Sequence, residues 1–116
     1  MTTNEKIKKI YEVLDKKLGE DIVVLNVNGI SSITDYFVIV SAPSERQVKA
    51  LEDALDYEMS KLGVEPRAVE GKNSAKWILI DYNDIVVHIF KTEDREFYNL
   101  ERLWKDAVFV DIDEVQ

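Results

Sequence analysis

Apolar side chains return every three or four positions in three stretches of this chain, and crowd into short β-branched runs between them. The first stretch is opened by Thr2 and Glu5, which have capping-box spacing. Ile7, Ile10, Tyr11, Leu14 and Leu18 then follow at helical steps up to Gly19, predicting an amphipathic helix with one buried stripe. IVVLNV at 22–27 and, after a break near Gly29, YFVIVSA at 36–42 predict two strands too apolar for solvent-facing edges. Ser44 and Gln47 repeat the capping spacing after Pro43, and Val48, Leu51, Leu55, Met59 and Leu62 form a second helical face that stops at Gly63.

Beyond Pro66 lie a short extended piece, RAVEG at 67–71, a polar KNSA link, and a hairpin, WILIDY and DIVVHIFK, turning around Asn83. Thr92 is the expected cap of a third helix, with Phe97, Leu100, Leu103 and Trp104 facing inward and an end near Ala107. The remaining VFVDIDEVQ alternates apolar and acidic residues, a pattern open to weak strand pairing or to a loose tail. The expected organisation is a single domain over residues 1–107 followed by an acidic C-terminal tail, 108–116. The order α, β, β, α, β, β, β, α predicts an α/β fold with a mixed sheet of about five strands covered by helices. A right-handed parallel crossover is expected through the second helix.

Composition narrows the chemistry. The 116 residues include no cysteine, which removes disulfides, thiolate metal sites and a cysteine nucleophile together. The N-terminal segment lacks the apolar core of a signal peptide and no run reaches membrane-spanning length, so a cytoplasmic protein without membrane contact is expected. A formal net charge of −8 opposes a phosphate backbone, which argues against nucleic acid and toward a basic protein partner.

His88 is the single histidine, and strand alternation places it on one side with Val86 and Phe90. Asp81 and Asp84 are near in sequence, but a metal ligand or general base needs companions that the chain lacks, leaving a structural or docking role. The Ser41–Ser44 loop between strand and helix invites a nucleotide-transfer reading. It has no glycine, and the strand VVHIF has no paired carboxylates for magnesium; Asp111 and Asp113 alternate, but in the tail. Ser44 is better read as a helix cap. Arg95, Tyr98, Arg102 and Trp104 are residue types that anchor interfaces, although Trp104 also fits a core and Glu101–Lys105 an ordinary surface pair.

DYFVI at 35–39, Glu70 with Gly71, WILID at 77–81, VVHIF at 86–90 and REFYNLERLW at 95–104 occur in one order. That arrangement resembles the ribosomal silencing factor, or Iojap, family over almost the whole chain. The resemblance implies a core similar to nucleotidyltransferases without their catalytic residues, no cofactor, and no enzymatic activity. It further implies a translational repressor that docks on the L-fourteen protein of the large ribosomal subunit and blocks joining of the small one. A homodimer is also compatible with it. Carried onto this chain, the docking role falls on Glu70, Trp77, Asp81, His88, Arg95 and Tyr98, with Trp77 equally open to a core position. A nucleotidyltransferase-like enzyme and a self-associating scaffold are the competing readings.

Overall fold

The computed structural model describes residues 1–98 and 105–115, and the side chains of all of these but 96–98. Its elements are α1 (Thr3–Lys16), β1 (Glu20–Asn26), β2 (Tyr36–Ala42), α2 (Glu45–Lys61), β3 (Ala68–Glu70), β4 (Trp77–Asp81), β5 (Ile85–Lys91), α3 (Thr92–Tyr98) and β6 (Val108–Phe109). A 3-10 turn, Ile112–Glu114, follows. The strands form one mixed sheet in the order β3-β4-β5-β2-β1-β6. It has six strands where about five were expected, because the start of the C-terminal segment pairs antiparallel with β1. The β2–β5 pair is parallel and the other four are antiparallel. β3 therefore runs parallel to β2, as the crossover reading required, but β4 and β5 lie between them.

Both faces of the sheet are apolar, for different reasons. On one, α1 and α2 pack side by side, burying Ile7, Ile10 and Leu14 together with Val48, Leu51, Leu55 and Met59 against Val38, Val40, Val87 and Ile89. On the other, Leu25, Val27, Phe37, Ile39, Val86, Phe90 and Ala107 make a second cluster. β5 is buried at every position from Ile85 to Phe90, as a central strand covered on both faces must be.

Helix ends follow the capping signals closely. The Thr2–Glu5 box is complete, with each side chain taking the other's backbone N–H. Ser44 Oγ accepts from Gln47 N at 3.2 Å, so the strand-to-helix loop is a cap, as expected. At the end of α1 the inward stripe stops at Leu14. Leu18, expected on that stripe, is instead the left-handed residue of the stop, with φ of 64° and 79% exposed. Its N–H bonds Asp15 O and that of Gly19 bonds Leu14 O at 2.8 Å, the paired return that closes a helix. Gly19 is needed there for space: a Cβ would stand 2.7 Å from Val40 Cγ2. Leu62 likewise lies past the α2 stripe, exposed at the C-cap. Thr92 is the first residue of α3, and its hydroxyl bonds Glu20 Oε1 at 3.4 Å instead of capping the helix.

One polar latch joins the N-terminus to the β4–β5 turn. Asp84 accepts from Thr3 Oγ1 at 2.6 Å and from Lys6 Nζ at 3.0 Å, with both ionic partners mostly covered. Burial opposes ionisation of its carboxyl, but Thr3 and Lys6 outweigh that and hold it below its ordinary value. Asp84→Ala leaves the Lys6 ammonium without its counter-ion, and we expect a loss of about 2 kcal/mol in chemical denaturation. An unchanged midpoint would show the latch to be ornamental.

A candidate docking face on the sheet

Pairing register decides which side chains share a face. Glu70 stands opposite Leu79, Leu79 opposite His88, Trp77 opposite Phe90, and Asp81 opposite Val86. Glu70, Trp77, Leu79, Asp81 and His88 therefore all project to the side away from α1 and α2. This face has two halves. Over β5, β2 and β1 it is the buried second cluster; over β3 and β4 it opens, with Ala68 and Glu70 exposed and Trp77, Leu79 and Asp81 half-buried. The open half is an apolar strip with carboxylates on its margin.

Among the described residues, Trp77 is held from two directions. Its ring stacks on Phe90 at 4.9 Å between centroids, 25° from parallel, and its indole N–H donates to His88 Nδ1 at 3.0 Å. Phe37 meets the imidazole edge-on at 4.8 Å. His88 is thus a buried, hydrogen-bonded strand residue, only 4% exposed, lying behind Trp77 and away from the open surface. Burial pushes its imidazole down to about 4, so it is neutral at pH 7. Since Nδ1 accepts, Nε2 carries the proton, and that atom has no hydrogen-bond partner among the described residues.

Asp81 is already engaged. Its Oδ2 accepts from Arg67 Nη2 at 2.8 Å and Nε at 3.3 Å, while Oδ1 accepts the Asn83 N–H at 2.7 Å and so shapes the hairpin turn. Asn83 sits at φ of 80°, a region that asparagine tolerates better than most residues. Glu70 is the carboxylate of the strip that faces solvent.

Of the other expected contact residues, Arg95 is engaged elsewhere and the Tyr98 side chain lies outside the described residues. Arg95, on α3, reaches the Ser41 end of the row Trp77–Phe90–Ser41, where its guanidinium donates to Asp21 O at 2.7 Å and Ser41 Oγ at 3.2 Å. It ties the start of α3 to the β1–β2 end of the sheet. The side chains of Phe97 and Tyr98, and Leu100, Arg102, Leu103 and Trp104 entirely, lie outside the described residues. Ser41 Oγ, part of the loop that suggested nucleotide transfer, is taken up by Glu20 O and Arg95. Asp111 caps the 3-10 turn through Asp113 N, and among the described residues no three acidic or histidine side chains are arranged to hold a metal. No described helix is long and apolar enough to cross a membrane.

Sequence reasoning missed Glu52, a carboxylate buried in α2 beside the apolar stripe. Burial raises its carboxyl above the ordinary range, while Lys72, with Nζ 3.6 Å from Oε1, pulls the other way. The contact pins the link between β3 and β4 onto α2. Its only signal in the sequence is its position next to Leu51 and three before Leu55.

A family model described as "Ribosomal silencing factor during starvation" matches residues 1–116. The ribosomal silencing factor of Halalkalibacterium halodurans is 40% identical over 99% of this chain and 98% of its own length. That of Haemophilus influenzae is 45% identical over 84% and 96%. A mouse protein named for mitochondrial assembly of the ribosomal large subunit is 34% identical over 90% of this chain and 47% of its own. Among solved structures, a Chromobacterium violaceum protein superposes with a TM-score of 0.87 at 32% identity, covering 90% of this chain and 88% of that one. The chain belongs to the ribosomal silencing factor family.

Proposed function

We propose that this protein is a non-catalytic repressor of translation that docks on the basic L-fourteen protein of the large ribosomal subunit and blocks joining of the small subunit. The observation that carries it is the open half of the sheet face, where a supported tryptophan, Leu79 and a free carboxylate lie together on a strand platform, in a chain of this family. An aromatic anchor inside a charged margin is the usual make-up of a protein contact. The mechanism is steric. With a radius of gyration of 12.9 Å and extents of 33 × 32 × 25 Å, the domain is large enough to obstruct a subunit contact without a chemical step or a cofactor. Its place of action is the cytoplasm, with the ribosomes.

Mixing separated subunits with saturating protein and following joining by light scattering tests the proposal directly. We expect the signal of joined subunits to be suppressed, and normal joining at full occupancy would refute the mechanism. Because the net charge is −8, encounter with a basic partner should slow as salt shortens the screening length from about 10 Å at 0.1 M to about 3 Å at 1 M. Dissociation should change less. Glu70→Lys should lower the association rate and flatten its salt dependence. It is a cleaner variant than Asp81→Lys, which would also release Arg67 and the hairpin turn. A salt-independent rate would remove steering while leaving docking intact.

A further inference from the structure

We propose that His88 is the positioning residue for docking: by accepting the indole N–H it fixes Trp77 in the orientation that the partner meets. This rests on the docking role proposed above for the open half of the sheet. Trp77 is the first residue of β4, directly after the link at 71–76, so one neighbour in the chain belongs to a loop. An indole N–H is a donor only, and at a half-exposed position water would satisfy it in several rotamers. Here it is turned inward instead, to an atom on the neighbouring strand that lies diagonal to Trp77 in the register. Phe90, directly opposite, fixes the plane of the ring by stacking; His88 fixes its rotation within that plane. Neither contact alone does both.

The imidazole is itself prevented from turning. Phe37 packs edge-on against it, and it is buried within the second cluster, so Nδ1 is presented to Trp77 and Nε2 is directed elsewhere. A side chain already fixed has less rotational freedom to lose on association. His88 thus acts on the partner without touching it. If it merely filled space, any apolar residue of similar volume would serve.

The test uses the full chain labelled with ¹⁵N, with Trp77→Phe assigning the two indole resonances, and dissociation from purified L-fourteen protein measured by interferometry. His88→Leu keeps apolar volume and removes the acceptor, whereas His88→Asn returns an acceptor close to the place of Nδ1. We expect His88→Leu to shift the Trp77 indole resonance and speed its proton exchange, and to make dissociation about three- to tenfold faster. His88→Asn should restore both. Trp77→Phe keeps the stack and drops the donor, so it should dissociate like His88→Leu, and combining the two should add nothing further. Should His88→Leu not fold, as judged by circular dichroism, Trp77→Phe at its half-exposed position decides the matter alone. Parent-like dissociation for His88→Leu or Trp77→Phe, with Trp77→Ala dissociating faster, would overturn the positioning role and leave docking standing. If Trp77→Ala also dissociates like the parent, the docking reading falls and the positioning role falls with it. Failure of a folded His88→Asn to restore the indole resonance would likewise overturn it.

Discussion

Gly71→Ala is expected to destabilise the fold by about 3 kcal/mol, since it combines a left-handed backbone with direct overlap. Gly71 sits at φ of 87°, and a Cβ there would lie 2.0 Å from the carbonyl oxygen of Trp77. That oxygen is main chain at the start of β4, so it cannot rotate away as a side chain would. Relief requires the β3–β4 link to move, and Trp77 moves with it. Gly29→Ala is the internal control: φ is 84°, but nothing lies within 4 Å of the added carbon, so only the conformational cost of about 1–2 kcal/mol applies. Urea denaturation of the two variants measures the difference. Equal losses would show that the close approach to Trp77 O costs nothing.

The same link is tied to the rest of the fold at several points. From Gly71 the chain crosses toward α2, where Lys72 meets Glu52, then returns through Ala75, buried and at φ of 54°, to enter β4. Ala75 N–H bonds Gly71 O at 3.1 Å across the turn. Three unlike constraints therefore fix six residues: a glycine conformation, a partly covered ion pair and a buried methyl. The segment reads in sequence only as a polar break between strands.

Legibility divided along physical lines. Helices α1 and α2 were readable because capping residues and a 3.6-residue stripe report the same boundaries twice, and the hairpin because β-branched runs flank an asparagine turn. Leu18 and Leu62 depart from the expected stripes for one reason. Each apolar residue continues the period by spacing, yet the chain has already left the helix, and periodicity does not record where hydrogen bonding stops. The two residues of β6 carry too little pattern to separate a strand from a tail. On the candidate face, alternation gave the side to which Trp77, Asp81 and His88 point, but not their partners. Arg67 on Asp81 and the indole on His88 depend on the order β3-β4-β5, which is a tertiary fact. Arg95 shows the converse: a residue type common at interfaces, spent here on backbone carbonyls.

Acidification from pH 7 to pH 4 is expected to remove about 3 kcal/mol of stability through His88 alone, taking about 1.4 kcal/mol for each unit between its ordinary value of 6.5 and its folded value of about 4. The direction follows from proton counting. Above pH 6.5 the imidazole is neutral in both states and contributes no slope. Between 6.5 and about 4 the unfolded chain binds a proton that the folded chain refuses, because burial penalises the cation and Nδ1 must stay an acceptor for Trp77. Stability therefore falls with pH throughout that window and levels off below it. Glu52 acts in the opposite sense, since its raised carboxyl takes up a proton more readily when folded, and Asp84 loses its advantage only below the ordinary carboxylate range. Both are common to parent and variant, so subtracting the pH profile of His88→Asn from that of the parent isolates the histidine. The difference should be flat from pH 8 to 7 and should decline between 6.5 and 4. A difference that does not vary with pH would mean that His88 titrates in the folded protein much as it does in water, and that its burial against Phe37 and Phe90 is not maintained.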